Sequence, residues 1–226
     1  MFAPQLELPD DFEYKSYEAI SSLVGPLKDS HELQWKEFAT AWQGVANCFR
    51  ACAEHDDAFT RSIKKNAAPQ QPERYYQERA LFGFFVNGLS VVESTCYGLY
   101  TIGSMLKEQY FPIKTAGNKR RIKPERTADL FRTTFPNEGI SCTLNAVIGS
   151  QEYDDWKEYR NVLVHRGSPG REFQITIGSG ADTHGDALWL KGIPLNADTT
   201  PSRRAWLADK LQMLLREAHS FCTKEF

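Results

Sequence analysis

Residues 81–106 read LFGFFVNGLSVVESTCYGLYTIGSML, and this stretch decides the fold class. It is apolar nearly all the way round a helix, which predicts a helix packed on several sides at once. Gly83, Gly88, Gly98 and Gly103 let neighbouring helices approach closely, although each weakens the helix by up to about 1 kcal/mol. Asn87, Ser90 and Glu93 interrupt the greasy run from Ala80 to Met105. A central buried helix therefore fits better than a membrane span, where a mid-bilayer carboxylate is costly. This helix, expected over about Glu73 to Gln109, is the hub of a mainly α fold.

Working outward, a first helix is expected from about Asp11 to Val24, stopped by Gly25 and Pro26. A long helix follows from near Ser30. Its Phe38, Trp42, Val45, Phe49 and Cys52 recur at alternating four and three, the stripe of a bundle helix. Asp56 interrupts that stripe, and Phe59 and Ile63 resume it. Asn66–Pro72 reads as a loop. Beyond the hub lies a basic loop of Lys114, Lys119, Arg120, Arg121, Lys123 and Arg126, opposed by Glu125 alone. Short helices are expected from Pro124 through Phe135 and over Gly139–Ile148, and another over about Glu152 to His165.

The periodicity then changes. Phe173–Ile177 alternates with period two, and Ala187–Leu190 does so less cleanly, with Gly178–Gly185 between them. This pattern predicts a β-hairpin at about residues 171–192. A last helix, about Ser202 to Cys222, carries Leu207, Leu211, Leu214, Ala218 and Phe221 on one face. The expectation is one helical domain over residues 1–226 with the hairpin inserted before its last helix.

The chain of 226 residues can bury a sizeable core, and 41% hydrophobic with 25% charged residues excludes a disordered or fibrous chain. A net charge of −2 argues against a whole-surface polyanion binder, so any nucleic-acid contact rests on a local patch. Five cysteines, with no Cys-x-x-Cys, favour free thiols in a reducing compartment. Cys48 and Cys52 lie one helical turn apart and read as core thiols, because no histidine stands at metal-ligand spacing. No secretory signal is visible, and a cytoplasmic location is expected.

The chemistry candidates centre on the string Tyr159, Arg160, Asn161, Val162, Leu163, Val164, His165, Arg166, Gly167. At about 100° per residue, Trp156, Tyr159, Val162 and Leu163 cluster on one side and should face the core. Asn161 and His165, four apart, share the opposite face, and Arg160 lies between with a stem long enough to reach it. Val164 sits near the same outward side, which suggests that a second surface covers it. Arginine, amide and histidine together supply a permanent cation, a positioner and a group that titrates near neutral pH. The same residues also fit an ordinary helix C-terminus, where basic side chains complement the dipole and Gly167 and Pro169 stop the helix.

The Arg-x-x-x-x-His spacing, with a polar residue directly after the arginine, resembles the signature of the HEPN superfamily, the higher eukaryote and prokaryote nucleotide-binding domains. The strong match covers about nine residues, with looser agreement over roughly residues 32–222. The resemblance implies a HEPN-like antiparallel helical bundle and a metal-independent endoribonuclease, a hydrolase by class, that needs no cofactor. It also implies a homodimer whose two motifs face each other across the RNA substrate. Arg160 would hold the scissile phosphate, His165 would act as general base or acid, and Asn161 would orient the reacting groups. The product would be a 2′,3′-cyclic phosphate, and a defence or toxin–antitoxin setting with a cognate antitoxin would follow. Members that only bind a nucleotide, RNA or a protein give the alternative, a non-catalytic binding module. A purely structural helical module is the third reading.

Glu93 is a supporting candidate, since a carboxylate amid Val91, Val92 and Cys96 is costly unless paired. It could anchor Arg160 or serve another cation. Lys119, Arg120, Arg121 and Lys123 are the candidate RNA-binding residues, with Tyr110 and Phe111 nearby for stacking. The alternative is a solvated, mobile connector. The Gly178–Gly185 loop lacks the lysine and following helix of a phosphate loop and reads as a hairpin tip. Ser179, Asp182 and His184 in it are too close in sequence to form a triad.

Overall fold

The structure, a computed structural model, describes residues 7–63, 70–165, 170–172, 187–189 and 192–226. These are mainly α-helical. The helices are α1 (Tyr14–Val24), α2 (Glu32–Ser62), α3 (Gln71–Leu106), α4 (Ala116–Arg120), α5 (Pro124–Thr134), α6 (Gly139–Ile148), α7 (Gln151–His165) and α8 (Pro201–Glu225). Between α7 and α8 lie two antiparallel strands, β1 (Ala187–Trp189) and β2 (Ile193–Leu195).

Local chemistry accounts for the departures from expectation. α1 ends at Val24 as expected, and the chain then tightens into a 3₁₀ turn, Gly25–Lys28, because the φ of Pro26 suits it and its missing N–H is not needed there. α3 begins at Gln71, ahead of the expected start, since Pro72 in the first turn forfeits no helical hydrogen bond. The rest of the expected Asn66–Pro72 loop, up to residue 69, is outside the described residues. α4 interrupts the stretch read as a loop. Its N-cap, Thr115, accepts the Asn118 N–H through Oγ1 at 3.1 Å.

Within the region expected as a hairpin, Glu172 bridges Leu188 in antiparallel sense. The expected first arm, Phe173–Ile177, and the Gly178–Gly185 loop lie outside the described residues. β1 also pairs with β2, Trp189 opposite Ile193, and Gly192 at φ 76° lies between them. Pro194 made β2 hard to anticipate, because it cannot donate to a ladder. It is tolerated because it faces Leu188, whose N–H and C=O both turn the other way to Glu172, at 2.8 and 2.9 Å.

The chain divides into two compact units, and α2, α3, α7 and α8 each contribute residues to both. The first comprises residues 7–49, 90–154 and 208–226. There Tyr17 stacks on Trp42 at 5.3 Å and 4° between planes. The two exchange hydrogen bonds: the Tyr17 hydroxyl donates to the Trp42 carbonyl at 2.9 Å, and the Trp42 indole to the Tyr17 carbonyl at 3.1 Å. Phe111, Phe131, Phe135 and Phe221 form a second aromatic cluster. Three of the five thiols, Cys52, Cys96 and Cys222, are buried, Cys48 is half-buried and Cys142 is exposed. Burial pushes Cys222 up to about 12, and it also raises Cys96 and Cys48, with help from nearby carboxylates.

The second unit comprises residues 50–89 and the described part of 155–207. Phe84 and Phe85 of α3 receive Trp156 of α7 at 5.0 and 5.2 Å, and Phe85 also meets Tyr159 and Trp189. Asp56, where the apolar stripe of α2 breaks, is buried and paired with Arg204 of α8 at 3.3 Å. The Trp156 ring occupies the space that a side chain at Gly88 would need. Gly88→Ala should therefore cost about 1–3 kcal/mol by overpacking. Gly25→Ala, which meets nothing within 4 Å, should be close to neutral. Urea denaturation of the two variants beside wild type measures this, and equal midpoints would show that the Trp156 contact does not constrain the fold.

Candidate functional site

In the second unit, the motif residues lie on the last two turns of α7. Trp156, Tyr159, Val162 and Leu163 are buried, at 3%, 5%, 8% and 8% exposure, as the helical wheel requires. Asn161, Val164 and His165 are exposed, Val164 at 43%, and Arg160 is intermediate. By helix geometry Asn161 and His165 stand about 6 Å apart along the axis and Arg160 about 7.5 Å from His165. The buried aromatics hold this surface in place. Tyr159, beside Arg160, packs on Phe85, and the Arg203 guanidinium of α8 lies 5.8 Å over its ring. Arg203 is a second cation next to the motif that no sequence pattern pointed to. The expected stop at Gly167 and Pro169 falls outside the described residues.

Glu93 belongs to the first unit. It is half-buried, and its charge acts on Cys48, Cys96 and Tyr153, whose ionised forms it disfavours together with burial.

The basic segment also lies in the first unit, partly on α4 and at the start of α5. Arg120, Arg121, Lys123 and Arg126 line an open cleft of about 630 Å³, with Glu125 and Asp129 between them and Leu130 at its edge. Lys119 turns away from this cleft and makes an ion pair with Glu37 of α2. The same carboxylate accepts the Tyr97 hydroxyl of α3 at 2.7 Å. Burial pushes the Glu37 carboxyl up, but the hydrogen bonds from Lys119 and Tyr97 and the Lys119 charge outweigh it and hold the group below its ordinary value. The Arg126 charge acts on the Tyr100 phenol, which donates to the Pro112 carbonyl at 3.1 Å.

Protein-family models, curated proteins and solved structures give no match to this chain.

Some of this site escaped the sequence reading. Asp129 and Leu130 share a helix face with Arg126 at i, i+3, i+4 spacing, a signal that follows from a helix start at Pro124. The Lys119–Glu37 pair joins residues 82 apart in sequence and carries no local signal. Among the described residues no group of three or more His, Cys, Asp or Glu could hold a metal ion, and no helix is long and apolar enough to cross a membrane.

The Glu37 arrangement has a pH signature. Its carboxyl binds a proton less readily in the folded chain than in the unfolded one. Its stabilisation is therefore complete above the ordinary glutamate range, about 4.3, and fades as pH falls through the lower native value. Wild type should exceed Glu37→Gln in urea midpoint at pH 7, and the gap should narrow towards pH 3. A gap that stays constant would show that the Glu37 charge contributes nothing.

Proposed function

We propose that this chain is a HEPN-type, metal-independent endoribonuclease that acts on RNA as a homodimer, with Arg160, Asn161 and His165 as its reacting groups. The observation that carries the reading is the division of α7. Its aromatic and aliphatic side chains are spent on the core, while Asn161 and His165 stand exposed beside an exposed Val164. A polar pair bordered by an uncovered valine suits a surface that a second copy closes, and enclosure would strengthen every charge interaction there.

The chemistry follows from these groups. The His165 imidazole takes the proton of the ribose 2′-OH as the 2′-oxygen attacks phosphorus. The bond from phosphorus to the 5′-oxygen breaks, and that oxygen leaves with a proton from the second imidazole that a homodimer brings to the cleft. The products are a 2′,3′-cyclic phosphate and a 5′-hydroxyl. Arg160 pairs with the non-bridging oxygens, where charge builds in the transition state, and Asn161 orients the phosphate. DNA, lacking the 2′-OH, is spared. A defence or toxin–antitoxin setting, a cognate antitoxin and a cytoplasmic location belong to the same proposal.

The second reading, a binding module without catalysis, draws on the ordered cationic cleft of the first unit, which needs no reacting histidine. The two differ in outcome. An endoribonuclease cuts single-stranded RNA in EDTA, and His165→Ala lowers the rate at least about a hundredfold, the least expected for loss of a general acid or base. Its circular dichroism and urea midpoint stay unchanged, because the side chain is exposed. RNA substituted with 2′-deoxyribose should resist cutting. Undiminished cleavage by the variant would remove His165 from the mechanism, and binding without fragments would favour the second reading.

A further inference from the structure

We infer that the cleft lined by Arg120, Arg121, Lys123 and Arg126 is a phosphate-binding site, taking a phosphate group from an RNA strand or from a free nucleotide. The inference is independent of the α7 motif and stands whether or not that motif cleaves RNA. It rests first on the lining. The four cations outnumber the carboxylates two to one, and Asp129 is partly answered by Arg132, which donates to it at 2.7 Å. Three of the four are arginines, whose planar forks match the oxygens of a phosphate bidentately.

The second ground is that the cations are held rather than dispersed. On one side, α4 carries Arg120 and leads into Arg121, and it is fixed at its start by the Thr115 cap and near its end by Lys119 on Glu37. On the other side, Arg126 is carried by α5, and its charge acts on Tyr100, which donates to the Pro112 carbonyl. A surface whose charges are already in position pays less to order them when an anion arrives. Lys119 thus belongs to the scaffold of the site and not to its lining.

The third ground is size and wall chemistry. A cleft of about 630 Å³ that is largely open to solvent leaves room for a phosphate group and for the chain or sugar attached to it. Among its described lining residues Leu130 is the only apolar one. The charged heads of its cations, rather than any enclosed apolar floor, are what a ligand meets there, and they suit a compact multivalent anion.

The test uses the full chain and two probes: sodium pyrophosphate, and a single-stranded 12-mer of 2′-O-methyl RNA that 2′-OH chemistry cannot cut. The RNA is supplied with and without a 5′-phosphate. Both pyrophosphate and the 5′-phosphorylated RNA should bind, and pyrophosphate should displace the RNA. The triple variant Arg120→Gln/Arg121→Gln/Lys123→Gln changes only exposed side chains and should keep the wild-type urea midpoint. It should bind both probes at least tenfold more weakly. Its plot of log affinity against log salt for RNA should be shallower by about 2, from roughly 0.7 per phosphate contact. Lys119→Gln should leave that slope unchanged. Equal binding of the two RNAs would identify the strand backbone as the source, and a requirement for the 5′-phosphate would identify a terminal or free phosphate. The inference is overturned if the triple variant binds like wild type, if wild type binds neither probe, or if a poly-glutamate peptide binds where both phosphate probes fail.

Discussion

The structure depends on places in α3 where a side chain is missing. Gly83 and Gly88 are filled by the rings of His55 and Trp156 in one unit, and Gly98 and Gly103 by those of Trp42 and Phe111 in the other. Each ring sits where a Cβ would be, so the neighbouring elements approach α3 more closely than an alanine there would allow. The helix gives up intrinsic propensity at these positions and recovers it as aromatic burial. The seating of Trp156 on Gly88 also sets the rotation of α7, and with it which face of that helix turns outward.

That dependence explains why the motif surface could be read from sequence. A helix has one rotational freedom about its axis, and four apolar residues at 156, 159, 162 and 163 fix it. The exposure of Asn161 and His165 then follows without any distant information. Gly139–Ile148 and Pro124–Thr134 were equally legible, each opened by a helix-starting or small residue and carrying a clear stripe. The hub was legible because nothing but a helix buried on many sides accommodates its composition.

What could not be read has a common cause, long-range pairing. β2 contains a proline and would not be written as a strand from local propensity. It exists because Leu188 directs its backbone groups to Glu172. α4 has five residues, too few for a periodic signal, and is held by a cap and by an ion pair to α2. Asp56 looked like a break in a stripe because its reason, Arg204, lies 148 residues away. In each case the sequence shows the anomaly but not its partner.

The distribution of thiols has a practical side. Burial keeps Cys52, Cys96 and Cys222 away from reagents, and raised pKa values starve Cys96 and Cys222 of thiolate, the reactive form. Half-buried Cys48 shares that handicap, while Cys142 on α6 faces solvent. The native protein therefore presents a single convenient attachment point for a fluorophore or spin label. The remaining sulfurs become a built-in clock, since their alkylation reports how often the core opens.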